Sequence, residues 1–178
     1  GRTESCEGFA DGPFGNLPNP TAVAGMLMTV RDSAGNLYPT AHIDSVGTSY
    51  PNEAYSGFHV EYSADIRFPS LCHSVRIEYY EQSGLVDFVA YDELDAEVAR
   101  ARKLGATAAP ETQELISRGN LIRRVVVTSP NARCKIRNLC VSTNEPGNCV
   151  ELQGFDNETL PNPLVREGVT FRTGDSLS

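Results

Sequence analysis

Short segments in which apolar and polar residues alternate recur along the chain, and this period of two constrains the fold more than any other feature. Residues 58–62 (FHVEY), 65–68 (DIRF) and 75–79 (VRIEY) follow the alternation, and the runs at 121–128 (LIRRVVVT) and 134–142 (CKIRNLCVS) continue it. Such alternation predicts half-buried strands, each with one face on a core and the other in water. About eight such strands at close spacing, joined by turns, predict an all-β fold, an antiparallel β-sandwich.

One segment is ambiguous between helix and strand. Residues 93–103 (ELDAEVARARK) are rich in Glu, Ala, Leu, Arg and Lys, which favour helix. The segments before and after it nevertheless follow the pattern of a meander of strands. We therefore expect a turn from Glu93 to Ala96 and then a strand, which together form a hairpin with the preceding strand.

The beginning and the end of the chain share a motif at a constant offset of 143 residues. The positions that match without gaps are Cys6 with Cys149, LPNP 17–20 with LPNP 160–163, Gly25 with Gly168, and Asp32 with Asp175. We therefore expect a complete module over residues 1–148 and the opening strands of a second repeat over residues 149–178. Those opening strands need sheet partners, which either their own module or a neighbouring chain would supply.

The charge balance limits the classes of partner. A formal net charge of -8 at pH 7 argues against nucleic acid, because a binder must neutralise phosphates with a basic surface. We expect the basic residues near the C-terminal end of the module to project from the solvent faces of two strands toward acidic neighbours. The alternative is a patch for an acidic polysaccharide or for a neighbouring copy of the chain. These basic residues are Arg118, Arg123, Arg124, Arg133, Lys135 and Arg137.

The chain contains no residue pattern that carries catalysis. His42, His59 and His73 do not form an H-E-x-x-H arrangement, and G-x-S-x-G, phosphate-loop and dinucleotide glycine patterns are absent. We therefore expect no enzyme activity and no cofactor. A secreted glycoside hydrolase with a carboxylate pair is a weaker alternative, because the fold sets the separation of its acids. Turn carboxylates are of the type that hold calcium, but no ligand-spaced motif supports calcium, and the cysteine spacing does not fit zinc.

The cysteines and a glycosylation acceptor indicate an extracellular or cell-surface location. Five cysteines in a glycine-rich β protein favour disulfides, which form in oxidising compartments. Asn157, followed by Glu158 and Thr159, fits an N-glycosylation acceptor. No run approaches the roughly 18 apolar residues of a membrane span. One module would hold four cysteines, so Cys149 would be the first cysteine of the next unit, either free or bonded between units.

Several segments resemble a class of bacterial extracellular jelly-roll modules. Those segments are GPFGNLPNP, FVAYDELDAEVARAR, GNLIRRVVVTSP and KIRNLCV, which occur here in the order that is typical of such modules. The resemblance covers most of residues 6–142. It implies a jelly-roll sandwich similar to lectin and carbohydrate-binding domains, a role as a repeated unit of a secreted surface protein, and glycan binding or adhesion. It supplies no catalytic residue.

In a jelly roll the opening segment and the closing strand tend to be neighbours, which favours the pairs Cys6–Cys140 and Cys72–Cys134, although many other pairings are open. A bridge between Cys134 and Cys140 is disfavoured, because extended residues six apart lie about 20 Å from each other, whereas bridged Cα atoms lie about 5–6 Å apart.

Two functional hypotheses follow. The first is a non-catalytic extracellular module of a repetitive surface or matrix protein, in adhesion or glycan binding, with polysaccharide as its partner. For such a site the candidates are Tyr50, Asn52, Tyr55 and His59, because sugars present apolar faces to aromatic rings and hydroxyls to planar polar groups. The second is a structural subunit of a head-to-tail filament, in which residues 149–178 are donated as strands to the adjoining copy.

Overall fold

The computed structural model describes residues 3–47 and 54–143, and the backbone of two short strands near the C-terminus. The chain divides into two compact units, Gly1–Pro146 and Gly147–Ser178. In the described part of the first unit there are thirteen strands and one short 3-10 helix, Phe9–Asp11. The strands are β1 (Glu4–Gly8), β2 (Gly15–Leu17), β3 (Thr21–Val23), β4 (Met26–Arg31), β5 (Ala41–Asp44), β6 (Gly57–His59), β7 (Ser63–Cys72), β8 (Ser74–Glu81), β9 (Leu85–Tyr91), β10 (Glu97–Leu104), β11 (Glu111–Ile116), β12 (Ile122–Thr128) and β13 (Cys134–Ser142). The second unit contains β14 (Leu164–Arg166) and β15 (Val169–Phe171).

The thirteen strands form two antiparallel sheets. A seven-stranded sheet has the order β11-β8-β13-β6-β5-β2, with β1 also paired to β13, and a six-stranded sheet has the order β10-β9-β12-β7-β4-β3. The predicted all-β sandwich is therefore confirmed. The expected number of about eight strands was too low, because short strands such as β2, β3 and β6 span only three residues each and give no visible alternation.

The core lies between the sheets and is built from the inward residues of each strand. On β7 the inward side chains of Ala64 and Ile66 are fully buried, while Asp65 and Arg67 point outward. The rings of Tyr79 on β8 and Phe88 on β9 meet edge to face with centroids 4.9 Å apart, which links the two sheets. The largest other buried side chains of the core include Phe9, Phe58, Phe68, Met28, Ile43 and Ile122.

The predicted turn and strand at residues 93–103 are confirmed. The Asp92 carboxylate accepts hydrogen bonds from the backbone N–H groups of Leu94 (2.8 Å) and Ala96 (2.9 Å), which closes the turn. Asp95 takes a left-handed conformation with φ of 61°, and β10 then pairs with β9. Turn chemistry and the open edge of the sheet together override the helix propensity of this segment.

One of the two predicted disulfides is present. Cys6 on β1 lies directly opposite Cys140 on β13, and the two are bonded with an S–S distance of 2.05 Å. This bridge joins the first strand of the module to the last.

The predicted Cys72–Cys134 bridge is wrong, because both cysteines are free and buried. Cys72 lies two residues before Ser74, at one end of β8, whereas Cys134 lies opposite Glu81 at the other end. Ser74 and Glu81 are seven positions apart along the strand, which corresponds to about 24 Å, several times the reach of a disulfide. Burial raises the pKa of Cys72 to about 11, so this thiol stays protonated.

Candidate functional site

The outer face of the six-stranded sheet concentrates charged side chains in adjacent strands. Register places Arg67 of β7 opposite Arg124 of β12 and Leu27 of β4, and places Arg124 opposite Tyr91 of β9. Side chains alternate along each strand, so these residues share the outward face. We call this surface the arginine face. It consists of Leu27, Arg31, Asp65, Arg67, Asp87, Tyr91, Glu97, Arg100, Arg102 and Arg124, with Asp95 of the β9–β10 turn.

Two arginines of β10 form paired hydrogen bonds with carboxylates. Arg102 donates from Nε (2.6 Å) and Nη2 (3.0 Å) to the two oxygens of Asp87. Arg100 donates in the same way to Glu97, at 2.7 and 3.0 Å. The hydrogen bond from Arg100 lowers the pKa of Glu97, so this carboxylate is charged at neutral pH. Planar forks of this kind fix the orientation of both partners on the sheet.

Arg124 lies at the centre of the arginine face. Its Nη1 donates to Asp65 at 2.8 Å and its Nε donates to Asp95 at 3.1 Å. Its guanidinium carbon lies 4.2 Å from the centre of the Tyr91 ring, within the range of a cation–π contact. Two carboxylates and an aromatic ring therefore hold this side chain in place.

Arg67 differs from its neighbours on the face. Its side chain is exposed, and within residues 3–47 and 54–143 no hydrogen bond or ion pair engages it. It stands directly opposite Arg124, and like charges in such a cross-strand pair repel. The carboxylates beside Arg124 offset that residue's charge, so Arg67 is left as an uncompensated guanidinium in contact with water.

A groove continues the arginine face at the side of the sandwich. It has a volume of about 710 Å³ and lies between the edge strands β10 and β11. Its lining includes Glu97 and Arg100 of the face, the apolar side chains of Val98 and Leu115, and Arg118. The face is therefore continuous with a concave surface of mixed polarity.

A second cluster of charged groups lies on the seven-stranded sheet, but it is buried. Nδ1 of His59 is 3.2 Å from a Glu61 oxygen, and its Nε2 is 3.2 Å from the Ala132 carbonyl oxygen. Both ring nitrogens face acceptors, which favours the doubly protonated ring. Burial alone lowers the pKa of His59, but the hydrogen bond and negative charge of Glu61 outweigh it, and the pKa is raised.

Lys135 completes this buried cluster. The side chain has no exposed area, its Nζ donates to the Tyr55 carbonyl at 3.0 Å, and it lies 3.5 Å from an Asp44 oxygen. The distance to Asp44 is that of a loose ion pair. Burial lowers the pKa of Lys135, and the charge of Asp44 opposes this effect. The cluster thus contains two basic side chains, His59 and Lys135, and two carboxylates, Asp44 and Glu61.

Two of the four predicted glycan candidates, Tyr55 and His59, lie in or near this buried region. His59 is 6% exposed. The half-buried Tyr55 has its ring 4.7 Å from that of Tyr80. Tyr50 and Asn52 lie outside the described residues, as do Cys149 and Asn157. Among the described residues, those of the arginine face lie together on an open surface.

The expectation for the basic residues holds in part. Arg123 pairs with Glu93 at 2.6 Å, and Arg124 has the acidic neighbours given above. Lys135 was expected to face solvent and is instead fully buried, because the chain at Tyr55 covers it. Arg67, Tyr91 and the Arg102–Asp87 pair are not among the site residues that the sequence predicts. The available signal was that they occupy the polar positions of alternating strands, but the sequence does not show which strands are adjacent.

The described residues offer one group of three possible metal ligands, which consists of Glu4, Cys6 and Cys140. Its two sulfurs form the disulfide, so thiolate ligands are not available there. No helix in the described part of the chain is long and apolar enough to cross a membrane.

No protein-family model and no curated relative matches the sequence. Similar solved structures include a mutant of a family 29 carbohydrate-binding module, at 15% identity and a TM-score of 0.42, covering 81% of this chain and 94% of the other. A family 29 mutant complexed with mannohexaose is 12% identical with a TM-score of 0.40, and the match covers 81% of this chain and 94% of the other. A low-affinity xylan-binding module of family 86 from Roseburia intestinalis is 11% identical with a TM-score of 0.39, and the match covers 80% of this chain and 96% of the other. At these values the similarity says nothing about what this chain binds.

Proposed function

We propose that this protein is a non-catalytic, extracellular carbohydrate-binding module and that the arginine face is its binding surface. The observation that carries the proposal is the outer face of five adjacent strands, β4, β7, β12, β9 and β10, on which hydrogen bonds fix the planar side chains of Arg124, Arg102 and Arg100 together with their carboxylate partners. Four gaps between neighbouring strands make this face about 19 Å wide, which accommodates several consecutive sugar rings. Polar side chains that are already fixed lose little conformational entropy when a ligand binds.

The chemistry of the face matches that of a polysaccharide. Sugar hydroxyls donate to carboxylates and accept from guanidinium groups, and Asp65, Asp87 and Arg102 present both kinds of partner in fixed orientations. Tyr91 adds an aromatic ring beside them, and aromatic rings pack against the apolar faces of sugars. Leu27, which is 46% exposed, extends the apolar area at the β4 end of the face.

We further propose that the preferred ligand is an acidic polysaccharide, one whose sugars carry carboxylate groups. The arginine face has five arginines and four carboxylates, so it is positive although the whole chain is negative. Arg67 is exposed and its charge is uncompensated. A guanidinium binds a carboxylate through two parallel hydrogen bonds, and a ligand carboxylate at Arg67 would also relieve its repulsion with Arg124.

The disulfide between Cys6 and Cys140 supports an extracellular location, because such bonds persist in oxidising compartments.

The proposal is tested by affinity electrophoresis and calorimetry with polygalacturonate as the acidic polymer and with mannan and xylan as neutral ones. We expect the protein to bind polygalacturonate, and we expect Arg67→Gln to weaken that binding by about tenfold or more, since a hydrogen bond to a charged group contributes about 1.5–3 kcal/mol. Tyr91→Ala and Arg102→Gln should weaken binding of every polymer that binds.

Arg133→Gln is the matched control, because it removes the same charge from the β12–β13 turn, outside the arginine face. It should leave the affinity unchanged. Equal losses for Arg67→Gln and Arg133→Gln would show a non-specific charge effect and contradict the acidic-ligand proposal. If the protein binds only the neutral polymers and Tyr91→Ala abolishes that binding, the arginine face remains the binding surface but the proposed acidic ligand is refuted. Absence of binding to all three polymers would refute the function.

A further inference from the structure

The hairpin of the second unit has the same register as a hairpin of the first. In the first module β3 pairs with β4 through Thr21↔Met28, Ala22↔Leu27 and Val23↔Met26. In the second unit β14 pairs with β15 through Leu164↔Phe171, Val165↔Thr170 and Arg166↔Val169. Subtraction of the sequence offset of 143 from each position of the second set gives the first set. The sequence repeat and the backbone pairing therefore agree residue by residue.

The structure of the first module explains why the LPNP motif precedes this hairpin. The side chain of Asn19, the third residue of the motif, donates to the carbonyl oxygens of Val30 (2.8 Å) and Tyr38 (2.7 Å). Its own oxygen accepts from the N–H of Val30 at 3.0 Å. These three hydrogen bonds fasten the approach segment to the far end of β4. LPNP is thus a structural element of the hairpin, and the second copy places Asn162 at the same position.

The turn and the apolar pattern of the hairpin are also repeated. Ala24 and Gly25 both have positive φ, 49° and 79°, as a two-residue hairpin turn requires. The glycine is kept in the second copy as Gly168, and Val169 and Phe171 occupy the positions of the buried Met26 and Met28.

We propose that residues 149–178 are the opening segment of a second copy of the sandwich module, and that a strand equivalent to β7 of that same copy completes the sheet. In the first module β4 pairs with β3 on one side and with β7 on the other. In the described backbone of the second unit, β15 has only β14 as a partner. A two-stranded hairpin alone is marginally stable, so a β7-like partner is what the second unit needs. By the same offset Cys149 corresponds to Cys6.

The first test compares the two equivalent asparagines in the full 178-residue chain by thermal unfolding. Asn19→Ala should lower the melting temperature of the sandwich by several degrees, because three hydrogen bonds are lost. Asn162→Ala should leave that melting temperature unchanged, because its unit is not part of the first sandwich. A comparable decrease for both variants would overturn the proposal, since it would mean that the C-terminal hairpin is an integral element of the first module.

The second test asks whether the two segments are interchangeable. Residues 17–28 are replaced by the sequence of residues 160–171, and a scrambled version of the same twelve residues is the control. The exchanged chain should unfold cooperatively and retain the Cys6–Cys140 bond, while the scrambled chain should not. Equal behaviour of the two chains would refute the repeat.

Size measurements by light scattering distinguish the source of the missing strand. The full chain should be monomeric, as should a chain that ends at Pro146, whose unit has its own core. A dimer of the full chain that is lost on this truncation would show that a neighbouring chain supplies the strand. That result would overturn completion by the same copy and would support assembly by strand donation.

Discussion

Lys135→Met removes one cation from the buried cluster while keeping the length of the side chain. Lys135 has no exposed area, and its partners are the Asp44 carboxylate at 3.5 Å and the Tyr55 carbonyl at 3.0 Å. The variant leaves the Asp44 side chain, which is 12% exposed, without its closest cation. The segment at Tyr55 also loses the hydrogen bond that holds it over the sheet.

The expected cost follows from this geometry. Removal of one partner of a buried ion pair destabilises a protein by about 3–5 kcal/mol. The 3.5 Å distance to Asp44 is long, so we expect the lower end of this range, about 3 kcal/mol. In a domain of this size a loss of 3 kcal/mol lowers the melting temperature by about 10 °C.

Urea unfolding, followed by circular dichroism at neutral pH, measures the cost. Asp44→Asn and the double variant complete a double-mutant cycle, and the coupling between the two positions should exceed about 1 kcal/mol. Arg133→Met, which removes an accessible cation near the same strand, should stay within about 0.5 kcal/mol of the parent. A Lys135→Met variant as stable as Arg133→Met, or strictly additive effects at positions 135 and 44, would refute the account of the cluster.

Two further predictions concern the same fold. Reduction of the Cys6–Cys140 bond, which spans 134 residues, should lower the free energy of unfolding by at most about 5 kcal/mol on chain-entropy grounds. Urea midpoints with and without reductant measure this decrease. The stability of the Cys140→Ser variant should no longer respond to reductant. Because the pKa of His59 is raised on folding, its contribution to stability is fully present below about pH 6.5 and is lost as the pH rises through the folded-state pKa. His59→Gln should flatten this part of the pH profile of stability. A variant whose profile is identical to that of the parent would contradict the assignment.

Sequence patterns predicted the parts of the fold that depend on local chemistry. The alternation at 75–79 and 134–142 became β8 and β13, and the turn after Asp92 formed as expected. The Cys6–Cys140 bond was predicted because the resemblance to jelly rolls placed the first and last strands side by side. In each case the information lay within a short stretch or in a simple neighbour relation.

The features that the sequence did not predict depend on contacts between distant segments. Lys135 occupies an outward position in the alternating pattern of β13. Its side chain does lie on the outer face of the sheet, but the chain at Tyr55 covers it. The arginine face was missed because its rows are set by register: Arg124 meets Arg67 and Tyr91 only after three strands have paired. The Cys72–Cys134 pairing failed for the same reason, since the pairing register places the two thiols at opposite ends of β8.

The bond between β1 and β13 also determines how the module responds to mechanical force. If modules are joined end to end, tension enters near Cys6 and leaves near Cys140, and these two residues are covalently linked. The load therefore passes across the sulfur atoms and bypasses the residues between them. A stretched array would keep each oxidised sandwich folded and its arginine face intact, whereas a reducing environment would transfer the load to the hydrogen bonds between strands.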